Sequence, residues 1–110
     1  MKPIKMYVPG TLQELREFVV SMLISAPKFL DETGYLPYRN LDYIFQQLYK
    51  GLAQNRQTLG DERYQELMQM SDRMRALFES DPEDKTGETL AGCKIIHRME
   101  DILRQVQRKV

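Results

Sequence analysis

Apolar residues recur at spacings of three and four in four separate stretches of this 110-residue chain, parted by short segments rich in Pro, Gly and acidic residues. That spacing follows the 3.6-residue turn of an α-helix, so each stretch presents an apolar stripe that needs cover. Leu12, Leu15, Val19 and Met22 form the first stripe, widened by Phe18, Leu23 and Ile24. Thr11 and Glu14 make a Thr-x-x-Glu capping box in front of it, and Pro27 ends it, which predicts a helix over 12–25. The second half of that helix is apolar almost all round, so burial on more than one side is expected.

The other three stretches are punctuated in the same way. Asn40 is a good N-cap for Leu41, Ile44, Phe45, Leu48 and Leu52, predicting a helix over 41–58 with Gly60 just past its end. Gly51 lies inside it, where glycine costs roughly 1 kcal/mol relative to alanine. Asp61 is placed to cap a third helix over 62–79, with Tyr64, Leu67, Met68, Ser71, Met74, Leu77 and Phe78 on its inner face. Thr86 or Asp84 is placed to cap a fourth over 88–107, striped by Leu90, Cys93, Ile96, Met99, Leu103 and Val106, with Ile95 and Ile102 reinforcing it. Four amphipathic helices with short connections predict an all-α, four-helix bundle-like single domain over 1–110. Ile4, Met6 and Val8 alternate with Lys5 and Tyr7, but one strand has no partner in such a chain. Residues 1–10 are therefore expected as an extended arm, packed on this chain or on a second copy. Together with seven adaptable methionines, the arm suggests a homodimer.

Charge excludes some functions. Sixteen basic and sixteen acidic side chains balance to zero, which argues against nucleic-acid binding through bulk positive charge. No apolar run approaches the length of a membrane span, and the mean hydropathy is −0.53. Glu14, Arg16 and Glu17 precede the apolar run at 18–24 and no A-x-A site follows it, so no export signal is read and a cytoplasmic location is expected. One Cys forbids an internal disulfide.

Candidate chemistry is sparse. Cys93 and His97 lie one helical turn apart, as in an activated cysteine, but a mid-helix Cys has no free backbone N–H groups for an oxyanion hole. Cys93 reads as a small packed hydrophobe. His97 and Glu100 reverse the Glu-x-x-His order of dimetal bundles, and there is no second His. An EF-hand loop starting at Asp81 fails at Lys85 and Thr86. No cofactor, metal or enzymatic activity is expected.

Two surfaces suggest a protein partner. Residues 61–87 hold eight acids and four bases, while 88–110 hold five bases and three acids. Asp72, Glu79, Asp81, Glu83 and Asp84 form an acidic patch that could receive a basic protein, or simply complement the neighbouring basic helix. Tyr35, Tyr38 and Arg39, on the Pro-braced loop Thr33–Asn40, have the composition of interface anchors. The same loop could fold back as a lid over the open end of the bundle.

The stretches Ser71–Thr86 and Ile96–Leu103, with the TGYLPYRN loop, resemble those of small, uncharacterised helical bacterial proteins, a likeness covering residues 25–103. In size and charge style the chain also resembles the immunity proteins of contact-dependent and polymorphic toxin systems. That class shares no catalytic motif. The resemblance implies a protein-binding module that occludes a toxin, most concretely a basic toxin domain, with neither nucleic acid nor membrane as partner. The alternative expectation is a structural or regulatory homo-oligomer.

Overall fold

All four expected helices form, the second of them in two pieces, in the computed structural model, which describes residues 6–30 and 40–109. The helices are α1 (Leu12–Ser25), α2 (Leu41–Gln54), α3 (Arg56–Leu59), α4 (Asp61–Ser80) and α5 (Glu88–Lys109). Thr11 caps α1 by accepting the Glu14 N–H at 3.1 Å, and Asn40 caps α2 by accepting the Tyr43 N–H at 2.9 Å. Each long helix touches two others: α1 packs on α2 and α5, and α4 packs on α2 and α5. The ring closes over one core of Leu15, Val19 and Met22, Phe45 and Leu48, Leu67 and Met74, and Ile96, Met99 and Leu103.

The helix expected over 41–58 breaks at Asn55. Its side-chain amide donates to the Gly51 carbonyl at 2.8 Å and to the Pro9 carbonyl at 3.2 Å, so it serves the arm as well as the helix. Gln47 also donates to the Tyr7 carbonyl at 2.9 Å. The described part of the arm thus lies along α2 of its own chain. Gly51 is what admits it, since a Cβ there would stand 2.6 Å from the Pro9 ring. Asp61 does not cap α4. Gly60 occupies the cap position, and Asp61 opens the helix and pairs with Arg56 at 3.0 Å.

A buried carboxylate ties α1 to α5. Glu100 accepts from Arg16 Nε at 2.8 Å and from Arg104 Nη2 at 2.6 Å, while Gln107 donates to Gln13 at 2.6 Å. The Arg104 hydrogen bonds, opposed by burial and helped by Arg16, hold the Glu100 carboxyl below its ordinary value. These contacts run the two helices antiparallel, the end of α1 beside the start of α5.

Three apolar residues depart from the expected burial. Ile24 is 89% exposed, Val20 43% and Leu90 61%. α1 is covered on its core side only, although its second half is apolar on both. At the start of α5, Thr89 turns inward to the loop before it and carries Leu90, one residue on, out to solvent.

Candidate partner-binding cleft

Two connections meet at one end of the bundle. After α1 the chain turns at Pro27 and brings Phe29 back into the core, with a left-handed backbone at φ 58°. Such a conformation costs roughly 1–2 kcal/mol for a non-glycine residue. Phe29 is fully buried and meets the rings of Phe45 and Phe78 edge-on at 5.9 and 5.3 Å. Burial of a phenyl ring contributes about 1.5–3 kcal/mol, and each edge-to-face contact adds about 0.5–1.5, so packing outweighs the backbone cost.

The second connection, residues 81–87, is organised by one carboxylate. Asp81 Oδ1 accepts the N–H of Lys85 at 2.7 Å and of Thr86 at 3.2 Å, and Oδ2 accepts the N–H of Thr89 at 3.1 Å. Thr89 Oγ1 donates to the Asp81 carbonyl at 3.0 Å. Burial by itself would raise the Asp81 pKa, but the backbone N–H groups of Lys85, Thr89 and Thr86 outweigh it and hold the group at about 2. Asp81 therefore does for α5 what Thr86 or Asp84 was expected to do, from seven residues before the helix begins. Its anion also complements the positive end of the helix.

Between these connections opens a cleft of about 620 Å³ lined by Pro27, Leu30, Leu41, Phe78 and Pro82, with Asp42, Arg75 and Glu79 on its rim. It runs past Lys28 and Pro82 into a lobe of about 480 Å³, where Ile24, Glu83 and Asp84 line the wall. Lys28 binds Glu83 at 2.9 Å across the junction. Arg75 binds Glu79 at 2.6 Å, pairs with Asp42, and lies 5.8 Å over the Phe45 ring. The rim holds four carboxylates and two cations, and both cations are already paired. A surplus of two negative charges thus surrounds an apolar floor.

The structure brings together Glu79, Glu83 and Asp84 of the expected acidic patch. Asp81 is not part of that surface, being only 2% exposed with both oxygens taken by backbone N–H groups. Asp72 lies further back along α4 and accepts the Tyr49 hydroxyl at 2.8 Å. Burial first, and then that hydrogen bond, push the Tyr49 pKa up to about 12. Tyr35, Tyr38 and Arg39, and with them the lid-or-partner alternative, lie outside the described residues. The apolar floor itself went unread. Leu30 and Pro82 fall in segments without periodicity, and only the apolar pair Phe29-Leu30, just after Pro27, could have signalled it.

Cys93, read as a packed hydrophobe, is half-buried on α5. Burial pushes its thiol up, and Asp84 adds to the effect, so the sulfur is held protonated rather than as a nucleophilic thiolate. Among the described residues no hydrogen bond joins it to His97, and no group of three His, Cys, Asp or Glu side chains is arranged to hold a metal ion. No described helix is long and apolar enough to cross a membrane. The chain matches no protein-family model, and no curated protein or solved structure is significantly similar to it.

Proposed function

We propose that this chain is a cytoplasmic protein-binding module of the immunity type, which neutralises a basic toxin domain by covering its surface without catalysing a reaction. One observation carries the proposal: Glu79, Glu83 and Asp84 surround an open apolar cleft floored by Leu30, Leu41 and Pro82. An apolar floor supplies the buried centre that binding energy needs. A rim with surplus negative charge steers a basic partner and speeds its approach. In this mechanism an apolar side chain of the partner enters the cleft and its Lys or Arg residues meet the rim.

Co-expression with the protein encoded beside it tests the proposal, with growth rescue as one readout and binding kinetics as the other. Reversing Glu79, Glu83 and Asp84 to Lys should slow association at low salt and remove much of its salt dependence. Leu30→Ala should instead speed dissociation, because buried anchors act mainly on residence time. Absence of rescue, or kinetics unmoved by either variant, would overturn the proposal.

A further inference from the structure

We propose that the outward faces of α1 and α5 join two copies of this chain. The starting observation is an imbalance within α1. Leu15, Val19 and Met22 are buried on one side, yet Val20 and Ile24 stand one turn apart on the other side and face solvent. Leu90 is exposed on α5, at the end that lies beside the end of α1. A surface helix normally turns one apolar stripe inward and a polar one outward. Here the outward stripe is apolar for its last two turns, at the same end of two adjacent antiparallel helices.

Charge selects a second copy as the occupant. The outward face of α1 carries Glu17, which accepts from Gln13 at 2.7 Å and pairs with no cation of the described residues. Arg104 and Arg108 lie towards the end of α5, level with the first half of α1, as the Gln13–Gln107 and Arg16–Glu100 contacts establish. A twofold axis parallel to the helices lays α1 of one copy over α5 of the other. Val20 and Ile24 then lie on the Leu90 side of the second copy, and Glu17 faces its Arg108, Arg104 being already held by Glu100, twice over by symmetry. With no net charge, the chain has no long-range repulsion to overcome. The face is about 21 Å long and about two helix diameters wide. That is a footprint of roughly 400–500 Å² per copy, below the roughly 800 Å² per partner of a tight interface, as suits a dimer that forms at high concentration.

This surface meets the cleft only at Ile24, so variants at Val20 and Leu90 test it without touching the cleft wall. The experiment is light scattering and sedimentation of the full chain over a concentration series. Wild type should reach about twice its 13.0 kDa at high micromolar concentration. Val20→Glu with Leu90→Glu should raise the dissociation constant by about thirtyfold or more, while the circular dichroism of the dilute protein stays unchanged. Glu17→Arg should weaken the dimer, and adding Arg108→Glu should restore it. A monomeric wild type, a dimer indifferent to the Val20 and Leu90 changes, or a swap that restores nothing would overturn the proposal. So would a dimer lost only when residues 2–8 are deleted, which would assign assembly to the arm.

Discussion

The turn at 26–30 and the loop at 81–87 border the same cleft, yet they are held in place by opposite physics. The first is anchored by a buried aromatic ring: Phe29 packs between Phe45 and Phe78 and tolerates a left-handed backbone to do so. The second is anchored by a buried anion, Asp81, whose two oxygens gather three backbone N–H groups. Apolar burial has no titrating group and little dependence on salt. A carboxylate scaffold is lost when it is protonated. The cleft therefore has one acid-resistant wall and one acid-sensitive wall, joined by the exposed Lys28–Glu83 pair.

The largest expected effect tests the apolar wall. Phe29→Ala removes a fully buried ring and leaves a cavity between Phe45 and Phe78, so chemical denaturation should show a loss of about 3–5 kcal/mol. A loss below about 1 kcal/mol would mean that the ring is not the anchor of the turn.

A smaller effect tests the polar wall. The folded pKa of Asp81, about 2, lies below its ordinary value of 3.8. Its stabilisation is thus fully present above about pH 4 and is lost as pH falls towards 2. Asp81→Asn keeps one acceptor oxygen where the carboxylate uses two. The variant should melt several degrees lower at neutral pH, and the gap to wild type should close as pH falls through that window. Thermal melts across the range measure it, and a constant gap down to pH 2 would contradict the assigned role.

The smallest effect concerns the link between the walls. Lys28 and Glu83 are 47% and 63% exposed, so a double-mutant cycle should give a coupling of only about 0.2–1 kcal/mol, falling as salt rises. Coupling well above that range would make the two walls one cooperative unit instead of two independent ones.

The helices were legible because their signals are local. The spacing of Leu12, Leu15, Val19 and Met22 and the Thr11 cap specify α1 to the residue, and Asn40 marks the start of α2 in the same way. The acidic character of the rim was legible too, since Glu79, Glu83 and Asp84 lie close in sequence. The cleft floor was not, because Leu30, Leu41 and Pro82 come from three segments and only packing brings them together. Asn55 stayed hidden inside a good helical pattern. Where the helix breaks, the Asn55 side chain donates to the Pro9 carbonyl of the arm, some 46 residues earlier.

Period and capping chemistry act over three or four residues, so the sequence by itself determined that the chain is all-α and where its long helices run. Which carboxylate caps α5, which glycine admits another part of the chain and which apolar residues stay outside were decided only by tertiary structure. Asp81 reads as one more acid in an acidic loop until the N–H groups of Lys85, Thr86 and Thr89 converge on it. Gly51 reads as a helix weakness until the Pro9 ring stands 2.6 Å from where its Cβ would be. Ile24 reads as core until the chain has closed its ring of helices with that side left outward. For Gly51 the deciding partner lies in another part of the chain, for Asp81 it is the folded course of the loop as far as Thr89, and for Ile24 it is how the helices close. Packing and hydrogen bonding beyond a single helical turn thus select the outcome.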